Sequence, residues 1–222
     1  MDFVAARTKM VDGQVRPSDV TDLRIIAAML ELPRERFVTR EQAEFAYADM
    51  DVPIRRAAGG GAPRSLLRPR TLAKLIQAAE IEQTDRVLDV GGTSGYGAAV
   101  MSRLAREVFA LEEDAALVQS ARKALAECGI DNVALTEGDL TAGWAESAPY
   151  DVILLEGAIE VPPKALFAQL REGGRLVCVE GRGLSGKATV YRCVGGVASG
   201  RPVFDAATPL LPGFARPRAF VF

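Results

Sequence analysis

The residues of this sequence able to do chemistry are acids placed after short apolar runs, together with one glycine loop. Asp89-Val90-Gly91-Gly92-Thr93-Ser94-Gly95-Tyr96-Gly97 puts a carboxylate at the end of a β-branched run and glycines directly behind it. A strand, a glycine turn and a helix start make a ligand site for a physical reason. Glycine lets the backbone approach the ligand closely, and the helix start offers free N–H groups. The dinucleotide pattern G-x-G-x-x-G/A fits badly here. Counting from Gly91 puts Thr93 at the second glycine, and counting from Gly95 puts Val100 at the last position. A carboxylate at Asp89 would repel a pyrophosphate and can neutralise a cationic amino group. Glu112 and Gly138-Asp139-Leu140 end two further apolar runs.

Composition removes several alternatives. There is no histidine, so Ser-His-Asp and Cys-His nucleophile pairs, histidine metal sites and histidine pH switches are excluded. Lys+Arg is 27 and Asp+Glu is 29, a balance that argues against nucleic acid as the main partner. Cys128, Cys178 and Cys193 are dispersed, which argues against a zinc knot or a disulfide framework and for a reducing compartment. The first residues lack the apolar run of a signal segment, and no stretch of ~20 apolar residues exists to span a membrane. The expectation is a cytoplasmic protein with no membrane or nucleic-acid partner and no metal.

The elements that must position these acids follow from periodicity. In residues 1–50, Ile25, Ile26, Met29, Leu30 and Leu32 repeat with a helical period, with Ser18, Asp19 or Thr21 as cap and Pro33 as the end. A short helix is expected over 41–46. Residues 51–64, with Pro53, Gly59-Gly60-Gly61 and Pro63, read as an irregular loop. From Pro69 a helix runs to about 79. Strands are then predicted over 86–90, 107–111, 132–136, 151–155 and 175–179, alternating with helices over 95–104, 115–128 and 163–170. This rhythm calls for a parallel, doubly wound sheet. Strands over 189–194 and 219–222, with a turn at Gly195-Gly196, would add antiparallel strands at one edge.

Asp89 followed by spaced glycines resembles motif I of the S-adenosylmethionine-dependent methyltransferases. Three acids after three successive strands strengthen the likeness. The N-terminal half narrows it. Met10-Val11 … Gln14-Val15-Arg16, then Arg34-Glu35-Arg36-Phe37-Val38, Ala46-Tyr47-Ala48-Asp49 and Val52-Pro53-Ile54 resemble the protein-L-isoaspartate (D-aspartate) O-methyltransferases. That family shows PRE-x-FV, LAY-x-D and P-L-P-I at similar spacing. Asp85–Gly91, Ser94-Gly95-Tyr96, Asp139 … Gly143-Trp144 … Ala148-Pro149-Tyr150-Asp151 and Gly173-Gly174-Arg175-Leu176-Val177 continue in the family's order, so the likeness covers roughly residues 5–180.

The resemblance implies an α/β fold: a Rossmann-like, doubly wound methyltransferase sheet with a helical N-terminal extension and C-terminal edge strands. Residues 1–68 would be the helical region and covering loop, 69–180 the cofactor-binding core, and 181–222 a β extension. It implies S-adenosyl-L-methionine as cofactor, held by Asp89, Gly91, Gly92, Ser94, Gly95, Tyr96, Glu112, Asp139 and Leu140. It also implies a protein or peptide substrate bearing isoaspartate. Methyl transfer from a sulfonium is an in-line displacement, and a carboxylate nucleophile is ionised at pH 7 and needs no general base. The absence of histidine fits that reaction. Two positions depart from the family. Thr93 replaces the central glycine of G-T-G-S-G-Y, where a Cβ is expected to crowd the cofactor or change the backbone. Leu67 replaces the serine of Q-T-I-S-Q-P, and leucine cannot hydrogen-bond a substrate carboxylate. The alternatives are a methyltransferase of the same fold with another substrate, or a non-catalytic cofactor-binding homologue.

Overall fold

The computed structural model describes residues 1–55 and 64–217. The chain opens with helix α1 (Phe3–Met10), capped by the Asp2 carboxylate on Ala5 N at 3.0 Å. Helix α2 (Leu23–Glu31) buries Ile25, Ile26, Ala28 and Met29, as its apolar spacing requires. Its cap is Asp22, one residue beyond the expected set, accepting from Arg24 N at 2.9 Å. Asp19 instead takes a left-handed φ of 63° beside a 3-10 turn, and Thr21 N is held by Gln77 Oε1 at 2.7 Å. The short helix expected at 41–46 is a 3-10 turn, Arg40–Phe45.

The segment read as an irregular loop contains order. Strand β1 (Val52–Arg55) pairs antiparallel with β2 (Arg64–Leu66), and Pro53 sits opposite Ser65. A strand in a two-stranded ribbon keeps one free edge, so the missing proline N–H costs no ladder bond there. Gly59, Gly60, Gly61 and Pro63 lie outside the described residues.

Helix α3 (Pro69–Ala78) follows, burying Leu72, Leu75 and Ile76. Then come β3 (Arg86–Val90), α4 (Tyr96–Ser102), β4 (Glu107–Glu112), α5 (Ala115–Glu127), β5 (Val133–Glu137), β6 (Tyr150–Ile159), α6 (Lys164–Phe167), β7 (Leu170–Glu180), β8 (Lys187–Val194) and β9 (Val197–Asp205). They form one sheet in the order β5-β4-β3-β6-β7-β8-β9. The strands from β5 to β7 are parallel, and β8 and β9 are antiparallel additions. Strand β6 is buried at every position, which explains its continuous apolar run. Helix α6 is shorter than expected because β7 already begins at Leu170. Strand β9 was not foreseen: Ser199, Gly200, Arg201 and Pro202 break any apolar alternation, and backbone pairing to β8 defines it. Gly195 and Gly196 both take positive φ, as a two-residue hairpin turn requires. The strand expected at 219–222 lies outside the described residues.

Chain order reverses between β3 and β6, so their carboxyl ends flank the crevice where open α/β sheets bind ligands. The N-terminal region closes over this end through a fully buried Arg34. Arg34 Nε donates to Ala46 O at 2.6 Å and Nη2 to Leu67 O at 2.6 Å, while the guanidinium lies 4.7 Å from the Tyr96 ring centroid. One side chain thus joins the N-terminal turns, the segment before α3, and α4. Arg34→Met should leave two buried carbonyls without donors, at about 1–3 kcal/mol each. Urea unfolding is expected to show a loss of roughly 2–6 kcal/mol, and a loss below about 1 kcal/mol would contradict this role.

Candidate functional site

Three acids converge at the carboxyl ends of the central strands. Asp89, near the end of β3, is 0% exposed, and no hydrogen bond satisfies either of its carboxylate oxygens. Its neighbour is the Glu156 carboxyl on β6, also buried, and two like charges near each other out of water disfavour the ionised form of both. Burial, then the Glu156 charge, pushes Asp89 well above the usual carboxylate range. Burial raises Glu156 as well, to about 7, against the lowering influence of its Asp89 neighbour and of the Arg34 and Arg64 charges.

Glu112, at the end of β4, is held from both sides. Its Oε2 accepts from Arg64 Nη2 at 2.8 Å and Thr93 N at 3.2 Å, and its Oε1 from Glu113 N at 3.0 Å and Asp114 N at 3.3 Å. Burial outweighs the Arg64 charge and pushes its carboxyl up to about 7.

The glycine loop is shaped by what lies under it. A Cβ on Gly92 would press on the Asp89 carboxyl, and one on Gly97 would overlap that of Glu156. Gly91 and Gly95 have φ of 75° and 85°, and Thr93 between them has φ of 54°. The backbone at Thr93 is therefore left-handed, a conformation disfavoured for a β-branched residue. Its Oγ1 is buried and has no hydrogen-bond partner.

Asp89, Gly91, Gly92 and Glu112 lie around the loop, while Gly95 turns toward α5, where an added Cβ would meet Ala121 Cβ at 3.0 Å. Leu140 joins them, its Cδ1 lying 3.5 Å from where a Gly91 Cβ would be. Tyr96 begins α4, but its ring packs under Arg34 and against Phe37, at 5.4 Å between centroids. Asp139 turns to its own loop: Oδ1 accepts from Thr141 Oγ1 and N, both at 2.7 Å, which holds its carboxyl below its ordinary value. Leu67 is 1% exposed and packs in the main core, so its side chain does not stand in the crevice as an inert replacement for a hydroxyl. Of the arginines around the loop, Arg68 pairs with Asp51 at 3.3 Å, Arg70 with Asp49 at 3.1 Å, and Arg64 with Glu112. Glu156 escaped the sequence reading, although it carries the same signal as Asp89: an acid closing an apolar run. A cavity of about 610 Å³ lies away from these acids, against α3 and strands β8 and β9, lined by Lys74, Gln77, Val190, Arg192 and Phe204.

The sheet order, the glycine loop and the acids ending β3 and β4 define a Rossmann-like methyltransferase fold. Two solved structures share it. One, a protein-L-isoaspartate O-methyltransferase, superposes with a TM-score of 0.81 at 28% identity, covering 93% of this chain and 66% of that one. The other, from Plasmodium falciparum, is described as a putative protein-L-isoaspartate O-methyltransferase in complex with S-adenosyl-L-homocysteine. It has a TM-score of 0.77 at 17% identity, covers 92% of this chain and 97% of that one, and speaks for the fold alone.

The chain belongs to the protein-L-isoaspartate(D-aspartate) O-methyltransferase family, whose model matches residues 6–191. Relatives so named include one from Koribacter versatilis, 39% identical over 79% of this chain and 76% of the relative. Another, from Methylorubrum extorquens, is 42% identical over 79% and 74%. Among the described residues, no helix is long and apolar enough to cross a membrane, no group of His, Cys, Asp and Glu could hold a metal ion, and the three cysteines are free.

Two outcomes follow. Because burial raises the Asp89–Glu156 pair, its contribution to stability is full below the unfolded carboxylate pKa of about 4 and is lost as pH rises through the folded values. The wild type should therefore unfold at lower urea at pH 8 than at pH 6, and Glu156→Gln should narrow that difference. An undiminished difference would place the ionisation elsewhere. Thr93→Gly releases a left-handed β-branched residue worth about 1–2 kcal/mol of strain. Thermal unfolding should show a Tm equal to or above the wild type; a clear drop would mean Thr93 packing outweighs its strain.

Proposed function

We propose that this chain is an S-adenosyl-L-methionine-dependent O-methyltransferase acting on carboxylates of isoaspartyl residues in damaged proteins. One observation carries the reading: a fully buried acid, Asp89, without a hydrogen-bond donor, beneath a glycine loop at the point where chain order reverses, with a second buried acid, Glu112, at the end of the neighbouring strand. The residues present fit the cofactor. Asp89, Ser94 and Thr93 carry buried polar atoms without partners, which suits a polar ligand. A carboxylate at Asp89 suits a cationic amino group, Glu112 suits ribose hydroxyls, and Gly91, Gly92, Gly95 and Leu140 suit close contact with a flat base and its sugar. Asp139, bonded to Thr141, and Tyr96, packed under Arg34, are not turned toward this ligand by their side chains. S-adenosylmethionine, when bound, supplies a methyl group already activated on sulfur.

The chain's own part is then positioning and exclusion of water. Its N-terminal turns and ribbon, joined to the core by Arg34, cover the crevice. The acceptor carboxylate is ionised at neutral pH, so no side chain has to remove a proton, and a site without histidine loses nothing. In the same reading residues 1–68 cover the site, 69–180 hold the cofactor, 181–222 extend the sheet, and the protein works in the cytoplasm on proteins or peptides. The departure at Leu67 bears on substrate choice: its core packing leaves the acceptor's second oxygen to other donors.

The test is transfer of labelled methyl from S-adenosylmethionine to an isoaspartyl peptide, with the aspartyl peptide as control. A base-labile ester on the first and none on the second is expected. Glu112→Gln should weaken S-adenosylhomocysteine binding by about 1–3 kcal/mol. Ester formation on neither peptide, with cofactor bound, would point to another acceptor; no binding at all would end the reading.

A further inference from the structure

The place where an adenosyl ligand would meet Gly91 and Glu112 is filled by the chain itself. Arg64 Nη2 donates to both Gly91 O and Glu112 Oε2 at 2.8 Å, and it lies 3.1 Å from the position of a Gly91 Cβ. Leu211 Cδ2 lies 2.8 Å from that same position. Leu211 comes from residues 206–214, a segment running from the end of β9 back across β6. Four backbone hydrogen bonds tie it to the sheet, Ala206 N to Gly186 O at 3.0 Å, Ala158 N to Pro209 O at 2.8 Å, Leu211 N to Ala158 O at 2.9 Å and Glu160 N to Phe214 O at 2.9 Å, and Leu211 and Phe214 are buried against it. Gly157 makes the path possible, since a Cβ there would meet Leu211 Cγ at 2.6 Å and Pro209 O at 2.9 Å. This segment lies beyond residues 6–191, the part matched by the family model.

We propose that residues 206–214 and Arg64 form a latch that closes this chain's own cofactor crevice, with Leu211 standing in the base's place and Arg64 in the ribose's place, so that cofactor entry displaces both. The inference rests on the reading of the crevice as an adenosyl site. Each half of the latch copies one contact of that ligand: an apolar body beside Leu140 and Gly91, and N–H donors on the Glu112 carboxylate. Arg64 is an incomplete substitute. Only its Nη2 bonds Glu112, while its buried Nη1 has no hydrogen-bond partner and its other near carboxylate, Glu113, is 3.9 Å away. A closed latch lowers apparent affinity by the fraction of molecules that are open; one closed in about nine molecules of ten lowers it about tenfold.

Amide hydrogen exchange on the full-length wild type, with and without saturating S-adenosylhomocysteine, tests this directly. Ligands ordinarily slow exchange around their sites. Here the Leu211 amide should exchange at least several-fold faster when the ligand is bound, while amides of the 91–97 loop slow. Leu211→Ala should bind the same ligand about tenfold tighter by calorimetry, from the same open-fraction arithmetic. Slower or unchanged exchange at Leu211, with the 91–97 loop protected, would make the segment a fixed cover and overturn the latch alone. Equal or weaker binding by Leu211→Ala would do the same. No heat and no protection at 91–97 in either protein would overturn the adenosyl reading, and the latch with it.

Discussion

Three carboxyl groups are taken out of water at one end of a hydrophobic sheet, and the rest of the molecule is arranged around that cost. An isolated buried charge costs several kcal/mol even after relaxation, so each acid must be paired, hydrogen-bonded or protonated. Glu112 is paired, with Arg64 and three backbone N–H groups around it. Asp89 and Glu156 are instead pushed by burial toward their protonated forms. The glycines at 92 and 97 follow from those acids, because any side chain there would run into the carboxyl beneath it. The loop's shape is thus dictated from below as much as by any ligand above.

The two ends of the sheet treat buried charge differently. At the opposite end, Arg175 reaches Asp85 at 2.7 Å and also donates to the carbonyls of Ala79 and Glu80, so the end of α3 is tied to β7 and to the start of β3. Neither Arg175 nor Asp85 is left with an unsatisfied buried atom, whereas Asp89, Thr93, Ser94, Tyr96 and Glu156 all are. A satisfied buried pair reads as construction. A set of unsatisfied polar atoms at a crevice reads as a place prepared for something polar to arrive.

The N-terminal region and the C-terminal segment reach this crevice from opposite directions. Arg34 brings in the first by hydrogen-bonding two carbonyls from separate segments, which fixes the backbone and sets its guanidinium over the Tyr96 ring. The second arrives by a short parallel bridge at Ala158, passing over Gly157, with further backbone bonds at Gly186 and Glu160. The first attachment runs through one buried charged side chain, the second through backbone bonds and the buried side chains of Leu211 and Phe214.

Local pattern determined much of this. The alternation of apolar runs with helical periods is enough to read the strands β3 to β7 and their parallel order of use, because each run must bury itself and consecutive parallel strands need a crossover. Asp89, Glu112 and the glycines were legible for the same reason: acids at strand ends and glycines after them have few structural reasons to exist together. Tertiary structure alone decided what those residues face. Pro53 entered a strand because its partner supplied a two-stranded ribbon, and β9 formed because β8 offered an edge, neither of which leaves a periodic mark. Glu156 lies in the same apolar run as its neighbours, and only the β3–β6 pairing sets it against Asp89. Asp139 spent its carboxylate on Thr141, a bond of local geometry, and Arg64 and Leu211, 147 positions apart by their numbers, meet over Gly91. Contacts between residues so distant in the chain depend on how the sheet is ordered and folded over, and spacing along the sequence carries no trace of them.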